Sequence, residues 1–258
     1  MTDFRALHRP GNPLLLPNAW DVASALALAE GGFAAIGTTS LGVAAAAGLP
    51  DGQGQGREQT VALVRALQGR LEIPLTVDVE AGFGGWPAEV AELAAALHTA
   101  GAAGINLEDG RPGGVLAPAA AQAELIAAIK DRAPALFVNA RTDTYWLATN
   151  REETLTRART YVEAGADGIF VPAVAGDEEI RTLVRELAVP LNVLLLPGLT
   201  VPHLAGLGVA RISTGSLLFR AALSAAVATA QAVAGGAPAP APALTYAETN
   251  ALAGASGN

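Results

Sequence analysis

Short apolar runs rich in Val, Ile, Leu and Ala alternate along the chain with longer stretches in which apolar residues recur every three or four positions, the spacing of one helix face. The runs predict strands at 14–17, 34–38, 75–80, 104–108, 135–141, 168–172, 191–196 and 210–214. The periodic stretches predict helices, among them 88–100, 119–132, 152–164 and 178–187. The joint between a helix and the next strand repeats a Gly-centred phrase at 30–36, 100–105, 164–169 and, more loosely, 208–212. Gly just past a helix end can take the left-handed conformation that stops the helix, so each phrase marks a helix end and a strand start. Eight strand–helix units in 258 residues predict an α/β fold, a (β/α)8 TIM barrel. An open dinucleotide-binding sheet fits less well, because the glycines at 82–85 follow a strand without the phosphate-loop pattern.

A last barrel helix is expected at about 216–234, and the run GGAPAPAP at 235–242 cannot continue it. The barrel is therefore assigned to 1–234. Residues 235–258 are read as a Pro/Ala linker and a C-terminal helical extension or tail, with 245–253 able to form one short docked helix or to fray.

Composition narrows the chemistry. A net charge of −8 argues against nucleic acid as a partner, which would need concentrated Lys and Arg. Zero cysteines exclude disulfides, thiolate metal sites and a cysteine nucleophile or acid. The first 13 residues lack the basic and apolar regions of a secretory signal, and no segment reads as membrane-spanning, so the expectation is a cytoplasmic protein.

A barrel of this type builds its site at the C-terminal ends of its strands, and those ends are rich in polar residues. They supply Asn18 and Asp21; Thr38, Thr39 and Ser40; Asp78 and Glu80; Asn106, Glu108 and Asp109; Asn139, Arg141, Thr142 and Asp143. Asp78 and Glu80 stand two apart on one predicted strand, which would turn both carboxylates to the same face. Together with Glu108 they would repel one another unless a cation lay between them, and oxygen ligands favour Mg2+ or Mn2+. The other reading is that these carboxylates cap helices or pair with Arg141, and Asp143 is read as such a structural partner. Arg141 ends an apolar strand and needs a carboxylate, either the protein's or a ligand's. Ser40 to Gly42 lie where a strand becomes a loop; there, backbone N–H groups and a hydroxyl could cradle a carboxylate, or form an ordinary turn. His8, His98 and His203 assemble no site and are read as surface or structural. Tyr145 and Trp146 are candidates for a pocket wall, and Arg111 for a solvated loop residue.

The ordered motifs LPNAWD at 16–21, TSLGV at 39–43, GLPDG at 48–52, VDVEAGFG at 77–84, NLED at 106–109, NARTD at 139–143 and LNV at 191–193 resemble the isocitrate lyase and phosphoenolpyruvate mutase superfamily, particularly its phosphonomutase-like branch. The resemblance spans nearly the whole barrel. It implies a bound Mg2+ with Asp78 as the most direct ligand, and Asp51, Glu80 and Glu108 acting largely through metal-bound water. It implies that Ser40, Leu41 and Gly42 receive the substrate carboxylate, that Arg141 holds the enolate side, and that Asn192 lines the pocket. It also implies a homodimer or homotetramer, often with the eighth helix exchanged. Three departures stand out. The loop of the superfamily's lyases carries a catalytic Cys, and here it reads GRPGGV at 110–115; it lacks the phosphonate enzymes' Asn as well; and Glu80 stands where Asp is usual. The leading expectation is a Mg2+-dependent carbon–carbon lyase acting on a small di- or tricarboxylate through a 2-oxo acid enolate, like 2-methylisocitrate lyase or an oxaloacetate decarboxylase. The alternatives are a carbon–phosphorus enzyme acting on phosphonopyruvate or phosphoenolpyruvate, and a catalytically silent protein that binds a 2-oxo acid such as 2-oxoglutarate.

Overall fold

In the computed structural model, which describes residues 3–241 and 244–254, the alternating pattern becomes a parallel sheet wrapped by helices. Its strands are β1 (Leu14–Leu16), β2 (Asn18–Ala19), β3 (Ile36–Thr38), β4 (Leu75–Asp78) and β5 (Ala102–Glu108). A small antiparallel hairpin, β6 (Gly110–Arg111) and β7 (Val115–Leu116), follows β5 and lies outside that sheet. The sheet continues with β8 (Phe137–Arg141), β9 (Gly168–Val171), β10 (Leu191–Leu194) and β11 (Arg211–Ser213). The order is β1-β11-β10-β9-β8-β5-β4-β3-β2. The two ends of that series, β1 and β2, are consecutive in the chain and separated only by Pro17, whose carbonyl still accepts from Gly37 N at 2.8 Å. They are the two halves of the predicted first strand, so the sheet is a nearly closed (β/α)8 barrel of nine strand segments.

The strands read as near-continuous apolar runs because both faces are covered. Outward residues Val77, Ile105, Leu107, Val138, Ala140 and Ile212 are all 0% exposed beneath the helices. The helices are α1 (Val22–Glu30), α2 (Ser40–Ala46), α3 (Arg57–Leu67), α4 (Pro87–Thr99), α5 (Ala119–Arg132), α6 (Thr154–Glu163), α7 (Asp177–Glu186), α8 (Val201–Gly206), α9 (Leu217–Ala234) and α10 (Tyr246–Gly254). Inward residues differ sharply from outward ones. Thr76, Asn106, Asn139, Asn192, Arg211 and Ser213 are buried and polar inside the barrel, so the interior is a polar stack, bonded in part, rather than an oily plug.

At the barrel floor the N-terminal segment enters. The His8 ring stacks on Phe137 at 4.5 Å and meets Phe4 edge-on at 4.8 Å, so of the two readings, surface or structural, His8 is a buried structural residue. His98 and His203 bond Ala102 O and Asp177 Oδ1, as structural residues would. Beyond 234 the chain returns to the barrel. α10 packs against α1 with Leu252 buried and its carbonyl accepting from Arg70 Nη2 at 2.7 Å. Pro242 of the predicted linker, Ala243 and 255–258 of the predicted tail lie outside the described residues. α9 is different: along it only Phe219 is buried, while Leu223 and Val227 are more than half exposed. By length and composition alone, α9 is apolar enough to cross a membrane.

Candidate active site

A cavity of about 590 Å3 opens at the C-terminal ends of the strands. Of the residues singled out in the sequence, Ser40, Leu41, Asp51, Asp78, Glu108 and Arg141 line it, and so do Trp146 and Asp143. Gly42, Glu80, Asn192 and Tyr145 do not.

For Glu80, Asn192 and Gly42 the exclusion has a physical reason. β4 ends at Asp78, and Glu80 sits beyond it in the left-handed region at φ 50°, so the two carboxylates do not share a strand face. The Glu80 carboxylate turns instead to the loop after Asp51, where Oε2 accepts from Gly54 N at 2.9 Å. Asn192 lies one layer beneath the cavity with its amide engaged by the Ser213 hydroxyl at 3.1 and 3.2 Å, and it is Ser213 that reaches the lining. Gly42 belongs to the first turn of α2, whose N-cap is Thr39. A Cβ there would stand 2.7 Å from Trp20 Cβ and 2.8 Å from Thr39 Cγ2, so only glycine lets the turn close on its neighbours. The first α-helical bond of that turn runs from Val43 N to Thr39 O, which leaves the N–H groups before it without acceptors inside the helix.

Arg141 is the centre of charge. Its Nη1 pairs with Glu108 Oε2 at 2.7 Å and its Nε with Asp143 Oδ1 at 2.6 Å. Rings of Trp146 and Phe170 lie 5.7 and 5.8 Å from the guanidinium. Nη2 has no protein partner among the described residues. Asp143 is thus the structural partner the sequence suggested. Asp109 ties the same strand ends together, accepting from Asp143 N at 2.8 Å, Thr142 Oγ1 at 3.1 Å and Tyr161 Oη at 2.6 Å. That role was not read from the sequence, though the acid-rich NLED run was its visible signal. Gly110 is needed beside it, since a Cβ there would fall 2.3 Å from Asp143 Oδ2. The following hairpin is anchored by Arg111, whose guanidinium bonds Glu108 O, Gly110 O and Gln122 Oε1, each at 2.9 Å. Arg111 is therefore a fixed loop residue and not a solvated one.

Four carboxylates, Asp51, Asp78, Glu108 and Asp143, line a cavity whose one deep cation is Arg141, with Arg111 and Arg220 at its edge. Burial pushes the Glu108 carboxyl up to about 8 even though Arg141 opposes the shift. Burial likewise raises Asp78, which has no ion pair among the described residues; Arg141 again pulls the other way. Burial works against the Arg141 charge, but Glu108, Asp143 and Asp78 outweigh it and hold the guanidinium more firmly protonated than usual. Among the described residues no three His, Asp or Glu side chains are placed to grip a metal ion directly. One direct carboxylate with others acting through water is nevertheless the way Mg2+ is commonly held, and the surplus of oxygen anions around Asp78 fits a hard divalent cation.

Barrel, strand-end cavity and buried Arg–carboxylate cluster together give an α/β barrel with a charged cavity at its strand ends. Residues 4–234 match the phosphoenolpyruvate phosphomutase family, and the chain belongs to that family, within the superfamily that also contains isocitrate lyase-type enzymes. The chain is 48% identical over 225 residues to an uncharacterized protein of Mycobacterium tuberculosis H37Rv, covering 86% of this chain and 85% of that protein. It is 34% identical over 200 residues to 2-methylisocitrate lyase of Bacillus subtilis, covering 73% of this chain and 64% of that enzyme. A solved phosphonopyruvate hydrolase in complex with oxalate and Mg2+ superposes with a TM-score of 0.85 at 25% identity, covering 98% of this chain and 94% of that one. Enzymes of the superfamily are lyases, hydrolases and mutases.

Proposed function

We propose that this protein is a Mg2+-dependent carbon–carbon lyase acting on a small dicarboxylate through a 2-oxo acid enolate. The observation that supports this most is Asp78, a cavity carboxylate without an ion pair, set in a surplus of acid beside Arg141. Asp78 would hold the metal directly, with Asp51 and Glu108 acting through its water shell; Mn2+ could take the same place. When bound, the cation supplies a Lewis acid for the 2-oxo oxygen. Glu80 acts at one remove, by fixing the loop that presents Asp51. Ser40, Leu41 and Gly42 receive the substrate carboxylate through the hydroxyl and the open N–H groups of the α2 turn. Arg141, held rigid by Glu108 and Asp143, offers its remaining edge to the oxygen on which negative charge develops. Asn192 contributes through Ser213.

Two features narrow the reaction. The hairpin over the cavity carries neither a thiol nor an acid, so the proton for the enolate comes from outside the hairpin. The wall formed by Leu194, Leu195, Leu196 and Pro197 offers no polar side chain to a third carboxylate. Both favour a decarboxylase of the oxaloacetate type over a tricarboxylate lyase of the 2-methylisocitrate type. Calorimetric titration with oxaloacetate, pyruvate, 2-oxoglutarate and succinate, with and without Mg2+ and with product followed in parallel, tests this. Turnover of oxaloacetate that persists unchanged in EDTA or in Asp78→Ala sinks the proposal. Tight binding with no turnover would favour a silent 2-oxo acid sensor, and phosphonopyruvate turnover a carbon–phosphorus enzyme.

The exposed apolar residues Leu223, Val227 and Val233 of α9 support assembly into a homodimer or homotetramer in which another copy covers that helix. Light scattering that returns a monomer at micromolar concentration would refute it.

A further inference from the structure

Asn106 on β5 stands in register between Asp78 of β4 and Asn139 of β8, lines the cavity and is 5% exposed. Its Oδ1 accepts two hydrogen bonds, from Asn139 Nδ2 at 2.8 Å and from Arg211 Nη2 at 3.1 Å. A guanidinium carries donors only, so the Asn106 atom facing Arg211 has to be the oxygen, and the NH2 group is turned the other way. That NH2 group has no protein acceptor among the described residues, and the free space it meets is the cavity.

Arg211 itself is an unusual element. It is 0% exposed inside the barrel, has no carboxylate within ion-pair distance among the described residues, and leaves Nε and Nη1 without partners. Burying a charge on such terms is costly, and among the described residues the one hydrogen bond of its side chain is to Asn106.

We propose that Asn106 donates a hydrogen bond from its NH2 group to the anionic oxygen of the bound 2-oxo acid or enolate, and that Arg211 is the positioning residue that keeps this donor turned toward the substrate. The inference rests on the 2-oxo acid reading above and deepens it. Arg141 approaches that oxygen from the cavity wall and Asn106 from the floor, so the developing charge meets two donors that belong to different strands. An amide suits the floor position. It does not titrate, and it adds no fifth carboxylate to a cavity already short of positive charge.

The test is calorimetric binding of oxalate, a planar dianion shaped like the enolate of pyruvate, to the full chain in the presence of Mg2+, with Mg2+ titrated alone as a second readout. Asn106→Asp, which replaces the donor by an acceptor of the same shape, is expected to weaken oxalate by ~100-fold or more while Mg2+ alone binds no more weakly than before. Arg211→Met is expected to weaken oxalate about tenfold without lowering the melting temperature, because it removes a buried charge that has no ion pair among the described residues and whose burial outweighs the support of Asp78. Arg211→Lys, which keeps a cationic donor, should recover part of that loss. The double variant should bind no worse than Asn106→Asp alone if Arg211 acts through Asn106. Oxalate affinities of Asn106→Asp and Arg211→Met within about threefold of wild type overturn the proposal. So does an Arg211→Met protein whose stability and oxalate affinity fall together, which would mark a merely structural role. Should Asn106→Asp fail to fold, the two Arg211 variants decide. A wild-type protein that binds no oxalate with Mg2+ present removes the 2-oxo acid reading itself, and this inference with it.

Discussion

Two arginines are buried in this barrel, one in the wall of the cavity and one below its floor, and they are provisioned in opposite ways. Arg141 has Glu108 and Asp143 against two of its nitrogens and aromatic rings nearby. Among the described residues the Arg211 side chain has one hydrogen-bond partner, a neutral amide oxygen, and no ion pair, with Asp78 acting on its charge from farther away. Both sit on strand residues that face inward, so position alone does not explain the difference. A guanidinium wedged among carboxylates is stiff, charged at any accessible pH and aimed by its partners, which is what a group meant to meet an incoming anion requires. A guanidinium with a single neutral partner is a poor stabiliser and a good orienting device, since its charge strengthens one chosen hydrogen bond.

The largest effect that would break this contrast is on stability. Arg141→Met strands Glu108 and Asp143 in a buried site and is expected to cost about 3–5 kcal/mol. Arg211→Met is expected to leave stability within about 1 kcal/mol of wild type or above it. Urea unfolding of the two variants side by side measures both. Equal losses would mean that Arg211 has a neutralising partner after all, and that the contrast is false.

A second, smaller effect sharpens the acidic side of the comparison. Burial raises the Glu108 carboxyl from 4.5 in the free residue to about 8, so the folded chain holds a proton there that the unfolded chain has released. Stability from this group is present below about pH 4.5 and is lost as pH rises through 8. In EDTA the urea midpoint should therefore decline from pH 6 to pH 8.5. Added Mg2+ should protect more at the upper pH than at the lower, because a cation favours the ionised form. Protection by Mg2+ that is the same at both pH values would count against a cation near Glu108.

How much of this was legible in the chain differs between the two arginines. Alternation of period and the Gly-centred joints were enough for the barrel, because each strand–helix unit repeats the same local signals. Arg141 could be read because a charge ending an apolar strand, within NARTD, has few structural explanations. The strand ends were less legible: Glu80 was placed on the face of Asp78 by strand parity, and parity fails once the backbone enters the left-handed region. Asn192 was placed in the pocket when it lies one layer below, since sequence does not show how far a strand extends beyond its neighbours. Arg211 carries no such signal. It lies inside a predicted strand, 210–214, where a single arginine between apolar residues gives no sign of whether it points into the barrel or out of it.

The smallest expected effect lies at the opposite end of the barrel, where His8 closes the floor. Burial first, and the charge of Arg211 second, lower the His8 imidazole from 6.5 to about 4. It is neutral in the fold and would be charged in the unfolded chain between those values. Its contribution to stability is present above about 6.5 and is lost as pH falls toward 4, the reverse of the Glu108 dependence. His8→Phe keeps the stacking on Phe137 and removes the titration, so its urea midpoint should fall less than that of wild type between pH 6.5 and pH 4.5. Arg211→Met should flatten the same limb in part, since the second of the causes that lower the imidazole is gone while burial and the charge of Arg5 remain. A wild-type acid limb that Arg211→Met leaves untouched would show that the floor histidine does not feel the lower arginine. The two ends of the barrel interior would then be electrostatically separate, and Arg211 would answer to Asn106 alone.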